Sequence, residues 1–600
     1  MDELVADILD ALRAHHTLDA KQLDRIIRAH SKLIHDGRRF FAKKRILPYY
    51  LSQRNACTQS WKSWNVDADL DMRFVSTLRM KPRRTASGVA TITVITKPWP
   101  CSSSCAYCPN DVRMPKSYLH DEPACQRAER NFFDPYLQVS ARLSTLELMG
   151  HAVDKVELIV LGGTWSDYPT SYQNWFMTGL FNALNDDNRQ RCQKSKMLRS
   201  YYTQHSIPSD PEALSALCAH EQQLVLEGSS TYNEAIARLY GSDSPWWCLN
   251  ADQHATIDEL LIEHKRNERA THRCVGLVVE TRPDLINPDS LRALRQFGCT
   301  KIQMGVQSID DSVLNANGRK SCASDTVRAF SLARLFGFKI HSHFMVNLLS
   351  TTPEKDIADY DIFANSPNYT PDEVKLYPCA LVAGTRLVSS FEDGVWRPYT
   401  EDELVDVLSH AVLCTPEWMR VSRMIRDISA GDILVGNKKT NLRQMVDNYL
   451  MHQSDSVREI RFREIAGESV EIDSLVMRET VYETRSTTEH FLEWVTPEGK
   501  ITGFLRLSFP NDDIEESLLP NGKGHAMIRE VHVYGFAQRI DKPGEQAQHQ
   551  GLGKALISKA CEIATNNAYC AIDVISAIGT REYYRKLGFT DSGLYLSKPL

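Results

Sequence analysis

Short apolar segments alternate with longer amphipathic segments through the middle of the chain. Each apolar segment has the length and composition of a buried strand, and together they cover residues 89–96, 155–163, 274–280, 301–308, 339–348 and 373–378. Helix-length segments lie between them at 134–150, 288–298 and 324–338. Repeated strand–helix units predict an α/β fold with a parallel sheet, open or curled into a partial barrel, and functional residues at the carboxyl ends of the strands.

The chain outside this repeat divides into further segments. The N-terminal part is predicted to be helical, because Leu4, Ile8 and Leu12 form an apolar stripe at helical spacing. The predicted domains are a helical N-terminal region (1–77), the strand–helix repeat (78–379) with a helical insertion (184–270), a bridging region (380–460) and a C-terminal unit (461–600).

The composition indicates a folded, reduced protein. The chain has 600 residues, 42% of them hydrophobic and 24% charged, which is enough for a large core and about two to four domains. Acidic residues near the first methionine argue against a secretory signal or a membrane span, so we expect a cytoplasmic protein without a membrane partner. The 15 cysteines are an odd number, which fits free thiols better than a disulfide framework.

Charge is uneven along the chain, although the net charge of -6 argues against nucleic acid coating the whole surface. Two basic runs, at 38–45 and 78–84, contain aromatic or apolar residues between Arg and Lys. Such runs suit phosphate and base-stacking contacts, but a solvated surface is the alternative interpretation. The candidate nucleic-acid contacts in these runs are Arg38, Arg39, Lys43, Lys44, Arg45, Lys81, Arg83 and Arg84.

Three cysteines lie within eight residues, at Cys101, Cys105 and Cys108. A disulfide between the first two is one interpretation, but the reducing environment expected for an intracellular chain disfavours it. A zinc site is another, although no paired Cys-x2-Cys or His-x3-His motif lies nearby. Three thiolates at this spacing can instead hold three irons of a cubane cluster and leave the fourth iron open to a substrate.

Polar and glycine residues follow several of the predicted strands. Gly162, Gly163 and Thr164 end the second strand, where glycines let a ligand approach the backbone or simply make a tight turn. Three side chains at other strand ends face the same mouth, namely Glu280, Arg282 and Gln307. Their alternative interpretation is a structural salt bridge or a polar turn.

The C-terminal unit contains a glycine turn before a helix. The segment from Gln548 to Gly553 fits Gln-x-x-Gly-x-Gly, with Gly551 as its first glycine. A turn that opens a helix offers unpaired N–H groups and a positive dipole end to a pyrophosphate. Tyr583 and Tyr584 follow, and at least one of them is expected to be a packed aromatic residue.

These motifs carry a family resemblance. The cysteine spacing just after the first strand resembles the radical S-adenosylmethionine enzymes, and the glycine turn with its flanking strands resembles GNAT acetyltransferases. The combination resembles the catalytic subunit family of Elongator and its bacterial and archaeal relatives, through "DKVELIVLGGT", "ETRPD", "GVQSI", "VKLYP", "REVHVYG", "HQGLG" and "YYRKLGF". The implied fold is a radical SAM partial barrel fused to a C-terminal GNAT domain.

The resemblance also implies cofactor positions. A [4Fe-4S] cluster would be held by the cysteine triplet, and the strand-end residues would contact S-adenosylmethionine. Acetyl-coenzyme A would sit between the domains, with Tyr584, Tyr583 and Lys155 as catalytic candidates. The matching acetyl-coenzyme A positions are Lys155, Glu530, Val531, His532, Val533, Gln548, Gly551, Leu552, Gly553, Lys554 and Tyr584.

The implied reaction joins both sites on the anticodon arm of a tRNA. A deoxyadenosyl radical would take hydrogen from the acetyl methyl group, and the carbon radical would add to C5 of the wobble uridine. Thioester hydrolysis would then leave 5-carboxymethyluridine, and an electron donor is needed. The three-residue gap between Cys101 and Cys105 is shorter than in eukaryotic Elongator subunits, which favours a stand-alone prokaryotic-type enzyme.

Other interpretations remain open at this level. One is a lysine acetyltransferase with a structural cluster, and another is a tRNA-binding scaffold whose acetyl-coenzyme A site gates RNA release. Family members also carry a structural zinc between the domains. Cys379 and Cys414 are candidate ligands, without a full ligand set from spacing.

Overall fold

The computed structural model describes residues 1–30, 41–85, 87–208, 210–242, 244–451, 457–465, 470–534 and 551–600. Its strands are β1 (Ala90–Ile95), β2 (Lys155–Leu161), β3 (Arg273–Thr281), β4 (Lys301–Gln307), β5 (Lys339–Val346), β6 (Glu373–Pro378), β7 (Leu381–Val382), β8 (Arg420–Arg423), β9 (Ile433–Val435), β10 (Val476–Glu483), β11 (Thr487–Val495), β12 (Ile501–Pro510), β13 (His525–Val533), β14 (Ala571–Val574), β15 (Thr590–Ser592) and β16 (Tyr595–Pro599).

Helices connect these strands and form the N-terminal region. They are α1 (Asp2–His15), α2 (Ala20–His30), α3 (Lys43–Asn55), α4 (Gln59–Ser63), α5 (Ala68–Leu78), α6 (Pro123–Glu129), α7 (Pro135–Leu148), α8 (Thr170–Asn185), α9 (Asn188–Gln204), α10 (Pro211–Leu226), α11 (Tyr232–Tyr240), α12 (Pro245–Asp252), α13 (Ile257–Asn267), α14 (Pro288–Gln296), α15 (Asp311–Ala316), α16 (Ala323–Leu335), α17 (Pro353–Asn365), α18 (Leu387–Glu392), α19 (Glu401–Cys414), α20 (Leu442–Met451), α21 (Ile460–Arg463), α22 (Leu552–Asn566) and α23 (Arg581–Arg585). Within the described residues, each helix is too short or too polar to cross a membrane.

The strand–helix repeat forms a seven-stranded parallel sheet in the order β1-β2-β3-β4-β5-β6-β8. The six predicted strands and the three predicted helices are all present. The last strand, β8, comes from the predicted bridging region, so the sheet continues past the boundary placed at residue 379. The sheet is a partial barrel with edges at β1 and β8, which confirms the predicted fold class.

The N-terminal region packs as its own small helical core. Leu4, Ile8 and Leu12 of α1 are buried against Tyr50 and Phe74, as their spacing predicts. The region joins the barrel through Arg79, whose Nε donates to the Gly150 carbonyl at 3.0 Å. Part of the first basic run, Arg38 and Arg39, lies outside the described residues.

The segment predicted as a helical insertion is helical over α9 to α13. Several of its side chains share an apolar cluster with the segment that follows the cysteines, because Tyr232 and Trp246 pack with Val112 and Met114. The insertion therefore covers the loop at the carboxyl end of β1.

The C-terminal unit is a second seven-stranded sheet in the order β10-β11-β12-β13-β14-β16-β15. Its pairs are antiparallel except β13 with β14, which pair in parallel. The helix α22 packs on this sheet through Leu556, Ile557 and Ala560, the apolar face expected from the sequence.

Buried ion pairs join the two sheets. Arg529 of β13 donates two hydrogen bonds, of 2.7 and 2.8 Å, to the carboxylate of Asp372, which precedes β6. Arg529 also bonds Glu489 of β11 at 2.7 Å, and Arg506 of β12 lies 3.4 Å from Asp372. Burial would raise the pKa of Asp372, but Arg529 and Arg506 hold it well below its usual value. The carboxylate is therefore ionised and committed to the domain contact.

We predict that Asp372→Asn weakens the contact between the sheets. The amide keeps the shape but leaves Arg529 and Arg506 without a full counter-charge, so the free energy of unfolding should fall by about 3 kcal/mol. Urea unfolding followed by circular dichroism measures this change. Asp289→Asn is the control, since its side chain is 94% exposed and pairs only with Arg292 one turn away. Equal urea midpoints of unfolding for Asp372→Asn and Asp289→Asn would contradict the prediction.

Candidate active site

A cavity of ≈ 390 Å³ opens at the carboxyl ends of the strands in the parallel sheet. Its lining contains all three cysteines of the triplet, Cys101, Cys105 and Cys108. Predicted strand-end residues line the same space, namely Gly163, Thr164, Glu280, Arg282 and Gln307. Residues from four regions of the sequence therefore meet in one cavity, as expected from a parallel sheet.

The cysteine loop is held by backbone hydrogen bonds. The N–H of Ala106 donates to the Asn317 carbonyl at 2.8 Å, and the Ala106 carbonyl accepts from Leu387 at 3.1 Å. Cys105 is buried, and a guanidinium nitrogen of Arg319 lies 3.7 Å from its sulfur. A hydrogen bond with Cys108, aided by Arg319, holds the pKa of the Cys105 thiol well below its usual value, and the same hydrogen bond raises the pKa of the Cys108 thiol.

The three thiols are the donor type that an iron–sulfur cluster uses. In the described part of the chain, no group of three or more His, Cys, Asp or Glu side chains could hold one metal ion. A cubane instead spreads its thiolates over separate irons, and the three thiols border one cavity. Arg319 Nε is also buried there without a hydrogen-bond partner in the described residues, whereas the Arg282 nitrogen that makes no hydrogen bond lies 3.7 Å from the Asp167 carboxylate.

The glycine turn after β2 is shaped by close packing. A Cβ on Gly162 would lie 1.7 Å from the Thr96 hydroxyl, so only glycine fits. Gly163 has a φ of +82°, and the Gly162 carbonyl accepts a hydrogen bond from the Tyr168 hydroxyl at 3.0 Å. Gly162 is thus a packing residue, whereas Gly163 and Thr164 face the cavity.

The wall of the cavity includes polar residues that sequence reasoning missed. Tyr118 donates a 2.5 Å hydrogen bond to Glu280, whose pKa is raised by burial. His343 lies 3.5 Å from Glu280 on its other side, and Lys375 donates to His343 at 3.1 Å and to Gln303 at 2.7 Å. Burial lowers the pKa of Lys375 to about 8. The alternation in "KIHSHFMV" places His341 and His343 on one face and could have suggested this wall.

Cations outnumber anions around the cavity. The acidic lining residues are Glu122, Glu280 and Asp427. The basic lining residues are Lys116, Arg127, Arg142, Arg282, Arg319, Lys375, Arg423 and Arg426. Such a lining attracts an anionic ligand and is of the kind used to bind phosphodiester backbones.

The second candidate site lies at the start of α22. Gly551 caps this helix with a φ of +84°, in the left-handed region that glycine favours. The next N–H groups have no partner within the helix, so its N-terminus suits a phosphate group. Gln548, which was predicted to open this motif, lies outside the described residues.

The two tyrosines of the C-terminal motif have different environments. Tyr584 is buried in the apolar core of the second sheet, with Leu556 and Phe589. Tyr583 is 44% exposed, and its hydroxyl would lie 3.2 Å from a Cβ placed on Gly553. Tyr583 is therefore the tyrosine that reaches the N-terminus of α22.

The remaining predicted acetyl-coenzyme A positions are spread over the domain boundary. Glu530 is paired with Lys339 at 2.6 Å and Arg506 at 3.1 Å, and His532 stacks on Phe504. Val531 and Val533 lie on β13, Leu552 is buried at the start of α22, and Lys554 is exposed. Glu530 thus has structural partners already.

Lys155 occupies the amino end of β2, opposite the glycine turn. It pairs in register with Arg273, next to the turn Ile578–Thr580 of the second domain. At about 3.3 Å per residue, the length of β2 separates Lys155 from the turn at Gly162 by roughly 20 Å. Burial lowers the pKa of Lys155. The N-terminus of α22 lies beside Val533, and the next residue, Tyr534, contacts Arg420 at the start of β8. The second candidate site therefore also lies toward the amino ends of the strands, opposite the cysteine cavity.

The suggested zinc ligands are not brought into a site. Cys379 is buried between β6 and β7, whereas Cys414 ends α19 and donates to the Ala411 carbonyl. The absence of any three-residue metal group among the described residues leaves zinc unsupported.

Family models match three consecutive parts of the chain. They are the Radical SAM superfamily at residues 251–360, the Radical_SAM C-terminal domain at 371–452 and the Acetyltransferase (GNAT) family at 457–589. The chain is thus a radical SAM domain fused to an acetyltransferase domain, although the first match begins after the cysteine loop. These classes imply an iron–sulfur cluster, S-adenosylmethionine and acetyl-coenzyme A in general.

Curated relatives cover nearly the whole chain. A "tRNA uridine(34) acetyltransferase" of Methanocaldococcus infernus is 31% identical over 543 residues, 88% of each chain. That of Methanocaldococcus jannaschii is 30% identical over 100% of this chain and 97% of its own. "Elongator complex protein 3" of Schizosaccharomyces pombe is 30% identical over 89% of this chain and 88% of its own.

A solved structure agrees with these relatives. The archaeal M. infernus Elp3 with an N-terminal deletion is 29% identical, with a TM-score of 0.64, over 86% of this chain and 100% of its own. The chain belongs to the family of the tRNA uridine(34) acetyltransferases and Elongator complex protein 3.

We predict that a negative charge at Gly551 blocks acetyl-coenzyme A. In Gly551→Glu, a carboxylate beside the free N–H groups of α22 would repel the pyrophosphate, and binding should weaken by at least about tenfold. Gly551→Asn is the control, because asparagine tolerates a positive φ and carries no charge. Calorimetric titration with acetyl-coenzyme A compares them. Unchanged affinity in Gly551→Glu would show that the cofactor binds elsewhere.

Proposed function

We propose that this chain modifies the wobble uridine of tRNA, forming 5-carboxymethyluridine from acetyl-coenzyme A as a radical SAM acyltransferase. The observation that carries the proposal is the single cavity that combines three thiols, the glycine turn and an excess of basic side chains. A lysine acetyltransferase would need the second sheet but has no use for this cavity. The names of the relatives agree with the proposal.

The residues of the cavity have separate tasks in this scheme. Cys101, Cys105 and Cys108 would hold the cluster, which together with S-adenosylmethionine supplies a deoxyadenosyl radical when bound. Arg282 is oriented by Asp284 at 2.8 Å and by Asp167 at 3.7 Å, and its guanidinium at the cavity wall suits the carboxylate of the methionine moiety. The backbone N–H and C=O groups of Gly163 can form hydrogen bonds with the same methionine moiety.

The opposite wall suits a pyrimidine base. Lys375 can donate to a uracil carbonyl oxygen while Gln303 and His343 hold its position. The Tyr118–Glu280 hydrogen bond fixes the neighbouring wall, and the surrounding arginines can contact the flanking phosphates. A base removed from its stack could enter such a cavity, as enzymes acting on bases require.

Acetyl-coenzyme A is placed at the N-terminus of α22 in this proposal. Leu552, Gly553 and Lys554 offer free N–H groups to the pyrophosphate, and the Tyr583 hydroxyl beside Gly553 is the candidate general acid for the departing thiolate. Lys155, at the amino end of β2, lies near the same domain boundary. The acetyl arm then has to extend toward the cysteine cavity at the other end of the sheet.

The N-terminal basic residues are proposed as an auxiliary tRNA contact. Lys44 and Arg45 are exposed on α3, and Lys81 is exposed before β1. Lys43 donates instead to the Thr77 carbonyl at 3.0 Å, so it has a structural partner. The side chains of Arg83 and Arg84 lie outside the described residues. We further propose that the protein acts in the cytoplasm as a stand-alone enzyme with a separate electron donor.

The function is tested by mass spectrometry of nucleosides. Anaerobically reconstituted protein, a reductant, S-adenosylmethionine, acetyl-coenzyme A and tRNA should yield 5-carboxymethyluridine. Cys108→Ala should lose both the brown cluster and the product, because two thiolates cannot hold the cubane. A lysine acetyltransferase would acetylate protein and leave tRNA unmodified in the same incubation. Product formation by Cys108→Ala would exclude the radical route.

The auxiliary tRNA contact predicts a change in salt dependence. Lys44→Ala/Arg45→Ala should weaken tRNA binding and lower the slope of log affinity against log salt by about one unit per lost phosphate contact. Cleavage of S-adenosylmethionine without tRNA should be unaffected. Lys523→Ala/Lys586→Ala removes equally exposed charges from the second domain and serves as the control. If the slope of log affinity against log salt is the same in both double variants, α3 does not contact tRNA and its basic residues are an ordinary solvated surface.

A further inference from the structure

Two side-chain amides of the helical insertion hold the cysteine loop on both sides of its thiols. The Asn233 carboxamide accepts from the Cys101 N–H at 3.0 Å and donates to the Cys101 carbonyl at 2.9 Å. The Gln222 carboxamide accepts from the Val112 N–H at 2.9 Å and donates to the Asn110 carbonyl at 3.2 Å. Each amide thus binds the backbone through a matched donor and acceptor.

The helices that carry these amides are fixed to each other. Gln222 lies on α10 and Asn233 on α11. Arg238 of α11 binds the carboxylate of Glu221 on α10 through bonds of 2.7 and 2.9 Å. Thr231 and Glu234 form a capping box that sets where α11 begins, one residue before Asn233. The spacing between the two amides is therefore set by the insertion.

Further contacts bring the insertion to the same loop. The Tyr232 hydroxyl donates to the Met114 carbonyl at 2.8 Å. Lys97, just before the triplet, is buried and donates to Gln253 at 2.6 Å and to Asn250. The loop is thus bound by the insertion before, at and after the cysteines, while Asn317 and Leu387 bond the backbone of Ala106 between the thiols.

We propose that Gln222 and Asn233 are positioning residues that hold the cysteine loop in the geometry needed to bind the cluster. This inference rests on the proposed function, because it assigns the insertion a role in that site. The amides touch the backbone of the loop and not the thiols. Their contribution is to restrict where Cys101 can lie relative to Cys105 and Cys108 before any iron is bound.

Hydrogen exchange on the full-length, cluster-free protein tests the inference directly. In Asn233→Ala and Gln222→Ala, amides in the peptide spanning residues 99–113 should exchange about tenfold faster, since each variant removes two hydrogen bonds. Peptides from β11 to β13 should keep wild-type rates. Gln223→Ala is the matched control, because this neighbouring side chain is exposed and bonds only Glu227 in its own helix.

A conservative variant separates positioning from general destabilisation. Asn233→Asp keeps the acceptor for the Cys101 N–H but loses the donor to its carbonyl, so its exchange rate should fall between wild type and Asn233→Ala. If Asn233→Ala exchanges faster throughout the chain because it is unfolded, the comparison is made with Asn233→Asp instead. Rates in both Asn233→Asp and Gln222→Ala equal to those of Gln223→Ala would overturn the inference.

A second measurement uses the reconstituted protein. Iron should pass to a bathophenanthroline chelator about tenfold faster from the two alanine variants than from Gln223→Ala, in line with the loosened loop. Failure of wild type to assemble a cluster would refute the proposed function, yet the exchange experiment would still report on the loop. Faster exchange with unchanged iron release would overturn the link between the amides and the cluster.

Discussion

The buried carboxylate of Asp372 is the contact on which the relation of the two domains depends. It receives two hydrogen bonds from Arg529, and a third from the Ile340 N–H at 2.8 Å ties it to β5. A desolvated charge is tolerated only when its partners are close and well oriented. The second sheet is therefore seated against the first at one defined position, which sets how the two candidate sites lie relative to each other.

This seating places the thiols and the helix N-terminus at different ends of one barrel. The inner face between them is polar, since Glu373 contacts Lys339 at 2.8 Å and His341 at 3.3 Å, and Lys301 contacts Glu157 at 3.1 Å. Parallel sheets usually bury apolar residues on both faces. Here the inner face has the character of a site wall over its whole length, which suits a reaction that must bring together groups bound at separate ends.

Local pattern was sufficient for the strands and helices of the barrel because apolar runs and their spacing encode them directly. It failed for β8, whose four residues Arg420–Arg423 are mostly polar and form an edge strand. The cysteines and the glycine turn were visible because close spacing marks them. Tyr118 and Glu280 are 162 residues apart, and Arg426 reaches Ser117 across 309. Such pairs carry no local signal, so only the fold reveals them.

The order of synthesis has a consequence for the cysteine loop. Cys101 precedes Asn233 by 132 residues along the chain. At about 5–20 residues per second, roughly 7–26 s pass between the emergence of the two residues from a ribosome. During this time water is the partner of the Cys101 backbone groups, and the helices that later bind the loop do not yet exist. A cluster is therefore best acquired after translation has passed the insertion, which makes its loading a late event in the maturation of the chain.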